Sequence, residues 1–380
     1  MTWAILAALL ALAAVPVPAS GDGGWMPTAN SMSDPRWAAA STLLAGGTRG
    51  LIAGGYSYPA ARCVATADEF DPVTRRFARC PGRLNVPRNF AQASLLPGGT
   101  VLITGGYNTV LGSLDSAELF DPKTQTFKRL PSRLEAPREL FTATTLADGR
   151  ILVAGGFNTH RGRTQRTAEI FDPATLSFTP TGDLEEDRFG QDAVRLADGR
   201  VLVVGGTHWF TRHPGVPLAK AEIYDPATGR FHAAHGPMAF ARDRPTATLL
   251  PDGTVLIAGG QNGLEETAQA ELFDPKTEKF TTLPSPLVSP RMAHSAAALP
   301  DGSVLLSGGW SVSMATTTGS TEVYRPSTQT FTAEPPVPTG THDQTLLVFA
   351  SGLALVAGGK EASSGHETSL ATGFTRQMLH

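Results

Sequence analysis

An all-β fold assembled from seven copies of one four-stranded unit is what this sequence predicts, and three observations carry it. First, double glycines fall at Gly54-Gly55, Gly105-Gly106, Gly155-Gly156, Gly205-Gly206, Gly259-Gly260, Gly308-Gly309 and Gly358-Gly359, in steps of 49 to 54 residues. Second, a short apolar run precedes each pair, as in VLIT before Gly105, ILVA before Gly155 and VLVV before Gly205. Third, an acidic-aromatic Asp-Pro segment follows: EFDP at Glu69, ELFDP at Glu118, EIFDP at Glu169, EIYDP at Glu222, ELFDP at Glu271 and the variant EVYRP at Glu322. An aromatic then closes each unit, at Phe77, Phe127, Phe178, Phe231, Phe280 and Phe331.

The stretch from Leu249 to Phe280 shows the unit whole. Two apolar runs meet at Asp252-Gly253, a dipeptide that suits a tight hairpin because both central residues can take positive φ. After Gly259-Gly260 comes a loop, the run AELF, a turn at Asp274-Pro275 and a fourth run reaching Phe280. A sheet apolar on both faces cannot bury itself, but stacking such sheets around an axis buries each against its neighbours. The first runs, such as AQASLL and HSAAAL, are rich in small residues, which fit where innermost strands converge.

The chain has 380 residues, a formal net charge of −3, 41% hydrophobic and 17% charged residues, a globular balance. No basic tract stands out, which argues against nucleic acid as a partner. Ile5 to Val15 is an apolar run too short to span a bilayer comfortably, ending in Val17-Pro18-Ala19. The expectation is a signal peptide over residues 1–19, with an uncleaved anchor as the other reading. Residues 20–380 would then form a monomeric extracytoplasmic protein, secreted or periplasmic, with no membrane contact after cleavage.

The repeat resembles the kelch family: the period, the double glycine after the second strand and the acidic-aromatic third strand, over essentially the whole mature chain. The resemblance implies a seven-bladed β-propeller, with blades near residues 36–83, 88–134, 138–184, 188–238, 242–287, 291–337 and 341–380. The usual Tyr-then-Trp pair is replaced by (Phe/Tyr)-Asp-Pro and Phe, which resembles a bacterial, galactose-oxidase-like variant; the expectation is such a propeller without the catalytic domain. Trp25 sits in the slot of a fourth-strand aromatic, so a strand at residues 25–30 is expected to complete the last blade and remove the open edge of the ring. Glu367 to Thr372 is expected as that blade's third strand.

An arginine recurs 17 residues before the double glycine, at Arg88, Arg138, Arg188, Arg242 and Arg291, with Arg36 at 18 and Thr341-His342 in the seventh unit. With Glu69, Glu118, Glu169, Glu222, Glu271 and Glu322, and Glu367 in the last unit, these suggest repeated structural ion pairs, although a ring of arginines also suits an anion. Cys63 and Cys80 flank the Asp71-Pro72 turn, and an extracytoplasmic pair favours a disulfide over two free thiols.

The loops after the double glycines vary most, and in a propeller they share one face. Candidate binding residues are Tyr56, Tyr107, Phe157, His160, Arg161, His208, Trp209, Phe210, Arg212, His213 and Trp310, with Thr207, Gln261, Lys360 and Arg163 beside them. Aromatics beside Arg and His suit a sugar, an acidic small molecule or a peptide. Packing of the loop bases is the plain alternative for each. No catalytic set, metal-ligand spacing or cofactor motif is evident. The expected function is therefore a protein- or carbohydrate-binding module. The alternative is a carbohydrate-active enzyme, resembling kelch proteins that isomerise sialic acid or, less well, copper oxidases.

Overall fold

The computed structural model describes residues 24–209, 215–263, 265–311, 315–363, 366–369 and 373–376. Six repeat units each fold into one four-stranded antiparallel sheet from consecutive chain. Unit two, for example, comprises Gln92–Leu95, Val101–Thr104, Ser116–Asp121 and Thr126–Arg133. The seventh unit contributes Thr345–Val348, Ala354–Ala357 and Gly373–Arg376, and Trp25–Pro27 adds to the last of these as a fourth strand. First strands touch from unit to unit, and the first strand of unit seven touches Ala40–Leu43 of unit one. The molecule is thus a β-propeller, with sheets standing radially about an axis.

Second strands are buried along their whole length because neighbouring sheets cover both faces. Each interface is one apolar cluster. Between units one and two it joins Leu51, Ala53 and Ala67 to Val101, Ile103 and Phe120. Burying each of the larger side chains here, the Leu, Val, Ile and Phe, stabilises by roughly 1.5–3 kcal/mol. In each contiguous sheet the third-strand aromatic packs on the fourth-strand phenylalanine, as Phe120 does on Phe127 with ring centroids 4.8 Å apart. Trp25 stands opposite Arg376 in the register that Phe127 holds opposite Phe120, and it packs on Leu299, Leu305 and Val323.

The turns are set by short polar side chains. The Asp121 carboxylate accepts from the Lys123 N–H at 2.9 Å, and Asp71, Asp172, Asp225 and Asp274 do the same two residues on. The first hairpin differs from expectation. Only Gly253 takes positive φ (86°); Leu250 N–H donates to Thr254 O, and Gly253 N–H to Leu250 O. A longer loop ending in a left-handed glycine needs that conformation once, not twice.

Three other expectations are corrected. The residues after each double glycine form a short two-stranded hairpin, as Tyr56–Ser57 does with Arg62–Cys63. In unit seven this hairpin is longer, Lys360–Ser363 with His366–Ser369, so it takes up Glu367, and the strand that pairs with Ala354–Ala357 is Gly373–Arg376. Cys63 and Cys80 are separate buried thiols, not a disulfide. Cys80 faces Ala67 across the sheet, donating its N–H to Ala67 O, while Cys63 lies four residues earlier in the outer hairpin with Sγ 3.4 Å from Tyr107 O. Burial raises both thiol pKa values, that of Cys80 to about 12, which keeps them unreactive. Finally, the acid that meets Arg36 is Asp68, at 2.8 Å; Glu69 is one residue out of step and meets Arg49 instead. The leader expected over residues 1–19 lies outside the described residues. Among these, no helix is long and apolar enough to cross a membrane.

Candidate functional site

The site is framed by the recurring arginines. Arg36, Arg88, Arg138, Arg188, Arg242 and Arg291 are fully buried. Arg138 shows the pattern: Nη1 donates to Gly155 O and Thr167 O, and Nη2 to Thr167 Oγ1 and to Glu169 Oε1 at 2.9 Å. Glu118, Glu222, Glu271 and Glu322 meet Arg88, Arg188, Arg242 and Arg291 at 2.5–3.0 Å. The carboxylates also accept from backbone N–H groups in the incoming loop, as Glu118 does from Asn85 and Val86. Burial lowers the arginine pKa values against the pull of the carboxylates. These groups are enclosed and occupied, so they position the site without meeting a ligand.

The arginine main chain links neighbouring units. The second glycine of each pair donates its N–H to the carbonyl of the next arginine: Gly55 to Arg88, Gly106 to Arg138, Gly156 to Arg188, Gly206 to Arg242 and Gly260 to Arg291. Gly309 donates to Thr341, and Gly359 back to Arg36 at 3.1 Å. The approach excludes a side chain. At Gly156, φ is 103° and a Cβ would lie 2.8 Å from Glu139 O.

The residue after each arginine bridges to the residue after the double glycine of the same unit: Trp37 to Tyr56, Asn89 to Tyr107, Glu139 to Phe157, Phe189 to Thr207, Asp243 to Gln261, Met292 to Trp310 and His342 to Lys360. One residue further on, the chain turns into the left-handed region in every unit, at Ala38, Phe90, Leu140, Gly190, Arg244, Ala293 and Asp343. Here N–H groups donate around the axis, from Phe90 to Ala38 O, Gly190 to Leu140 O, Arg244 to Gly190 O, Asp343 to Ala293 O and Ala38 to Asp343 O. This ring forms the mouth of an axial cavity of about 330 Å³, lined lower down by Gln92, Asp192, Thr246, His294 and Ser295.

The mouth is aromatic on one side and charged across its centre. Trp37 stacks on Tyr58 at 6.1 Å and meets Phe90 edge-on at 5.3 Å; Lys360 Nζ lies 5.4 Å from the Trp37 ring centroid. Arg244 reaches 3.4 Å from Asp343 and 5.9 Å from the Phe90 centroid. Burial pushes the Asp343 carboxyl up, but Arg244, the His342 hydrogen bond and Lys360 together hold it below the usual range. Burial pushes Glu139 up to about 7, despite Ser113 and Arg244, and Asp192 up to about 6. It lowers His294 to about 3, and the His294 Nδ1 has no partner among the described residues.

The candidate loop residues divide. Tyr56 and Trp310 stand at the mouth, Trp310 against His342. Tyr107 and Phe157 hold the same repeat position, and Phe157 packs on Phe189 and Trp209. His208 pairs with Asp187 at 2.5 Å, on the rim between units three and four. His160 Nε2 lies 3.0 Å from Ser113 O and covers Gly112, a packing role. Arg161 is exposed and lines a separate cavity with Arg163 and Asp187. Phe210, Arg212 and His213 lie outside the described residues. The loop composition does not reveal Arg244, Phe90, Glu139 or Asp343. Their signal is positional: one and two residues past each arginine, where the other units mix small, apolar and polar residues.

Among the described residues, no group of three His, Cys, Asp or Glu side chains is arranged to hold a metal ion. The Kelch motif family model matches residues 93–133 and 245–287. No curated protein matches the chain by sequence. A solved structure of a fungal alcohol oxidase of the AA5 family, in complex with copper, superposes with a TM-score of 0.73 at 19% identity, covering 93% of this chain and 76% of that one. At that identity the likeness concerns the fold. Repeat, sheet topology and motif match agree: the chain is a kelch-repeat β-propeller protein.

Proposed function

We propose that this protein is an extracytoplasmic binding module that holds a glycan at the axial mouth, with the composite sheet serving as a seventh blade. One observation carries the reading: half-buried Trp37, Tyr58 and Phe90 converge with Arg244 and Lys360 at one opening. Aromatic rings offer flat apolar surface to the C–H face of a pyranose, while the neighbouring cations and backbone groups serve its hydroxyls. The apolar run from Ile5 to Val15 supports export. A glycan array probed with the mature chain tests the binding. Retention of at least one oligosaccharide is expected, with loss of ten-fold or more in Trp37→Ala. An array with no retained glycan, beside capture of a peptide ligand, would overturn it. Amino-terminal sequencing of secreted material checks removal of residues 1–19.

A second reading has its own observation. The Glu139 carboxyl, near neutrality beside Arg244, has the poise of a general acid–base. An enzyme acting on a sugar would lose turnover in Glu139→Gln while keeping binding. Unchanged turnover in that variant would remove Glu139 from the chemistry.

A further inference from the structure

We propose that Arg244 is a carboxylate-recognition residue and that the glycan held at the mouth is acidic, a uronic-acid-containing oligosaccharide; this rests on the binding reading above. Arg244 starts from unit five, yet its guanidinium lies 3.4 Å from Asp343 of unit seven and 5.9 Å from the Phe90 centroid of unit two. A side chain that leaves unit five and reaches units seven and two, on the far side of the ring, extends across the axis. Unit four makes room for it. Its residue at this repeat position is Gly190, where a Cβ would meet Arg244 Cγ at 3.3 Å and Asp243 Oδ1 at 2.5 Å.

The framework arginines show what a satisfied fork looks like here. Arg88 is fully buried and donates to Val86 O, Gly105 O, Ser116 O, Ser116 Oγ and Glu118 Oε1 at 2.8–3.1 Å. Arg244 donates through Nη1 alone, to both Asp343 oxygens at 3.4 Å, the outer limit of a hydrogen bond. Asp343 is already shared with His342 Nδ1 at 2.8 Å. A planar guanidinium carries five donors in a geometry that matches a carboxylate bidentately. Arg244 is about one quarter exposed, 24%, so a ligand can reach it from the mouth. An incoming carboxylate can take up the donors that Asp343 leaves unused, while its sugar ring lies toward Trp37 and Phe90. Asp343 is then a competitor for Arg244, not a support.

Calorimetry of the mature protein with an oligogalacturonate and a neutral galactan oligosaccharide of equal length tests this. The native protein is expected to prefer the uronate about ten-fold or more, since charge-assisted bidentate contacts are the strong ones. Arg244→Gln should lose that preference, weakening the uronate about ten-fold or more and the neutral ligand far less. Asp343→Asn should bind the uronate several-fold more tightly, because the competing carboxylate is gone. A merely structural clasp predicts instead that both variants weaken both ligands alike, and that result would overturn the proposal. Equal binding of acidic and neutral oligosaccharides in the native protein would also overturn it, while leaving glycan binding standing. Binding of neither oligosaccharide would count against both readings.

Discussion

Six units of this propeller carry a buried arginine–carboxylate pair; the seventh holds Thr341 at the arginine position and, opposite Val356, Phe374 at the register position of the acid. Thr341 Oγ1 instead donates to Gln344 Oε1 at 3.0 Å, and Gln344 Nε2 to Ser307 O at 2.7 Å. The main-chain circuit is unaffected, since Gly309 donates to the Thr341 carbonyl as its counterparts do to arginine carbonyls. The comparison separates two tasks. Backbone hydrogen bonds join sheet to sheet all the way round. The ion pair ties each incoming loop to its own sheet, and the composite sheet, whose fourth strand comes from the opposite end of the chain, does without it. Both halves are missing together because a lone buried charge is worse than none.

The largest expected effect lies inside a charged unit. Arg138→Ala leaves Glu169 buried without its arginine and takes a donor from Gly155 O and from Thr167 O, so it should cost about 3–5 kcal/mol in chemical denaturation. A loss under about 1 kcal/mol would mean that the pair is incidental to the fold. Next is the seam of the composite sheet. Deleting residues 20–34 removes Trp25–Pro27, uncovers the edge of Gly373–Arg376 and strips Trp25 from its cluster. Lower stability, by roughly 2–4 kcal/mol from lost burial and ladder bonds, is expected together with aggregation. An unchanged melting temperature would show that the ring closes without that strand.

A third test concerns the mouth. The folded pKa of Glu139 is raised to about 7 from 4.5, so the folded state binds the proton more tightly. Its contribution is fully present below pH 4.5 and is lost as pH rises through about 7. It amounts to roughly 3 kcal/mol. Glu139→Gln should flatten that part of the stability–pH curve; an unaltered curve would place the titration elsewhere. The smallest effect is expected at Thr341→Val, which removes one neutral hydrogen bond and about 1 kcal/mol. If it costs as much as Arg138→Ala, the composite sheet is not the lightly fastened one.

Much of the architecture was legible because it repeats. The double glycines, the Asp-Pro turns and the paired aromatics each answer a local demand: close backbone approach, an Asx turn, a sheet edge to cover. Such demands are met within a few residues of chain, so they appear as motifs. Small departures were invisible for the same reason. Asp68 and Glu69 are adjacent acids, and only the register opposite Ile52 and Leu51 decides which of them meets Arg36. Cys63 and Cys80 look paired along the chain, but the short hairpin at Tyr56–Cys63 carries one of them away.

The linear order of residues settled the period, the strand-turn-strand grammar and the four-stranded plan of each unit, since those depend on neighbours in sequence. The mouth was decided in three dimensions. Arg244, Phe90 and Asp343 come from three different units and meet only because radial stacking points one left-handed residue per unit at a common axis. No spacing along the chain encodes that meeting; it is a property of closing the ring.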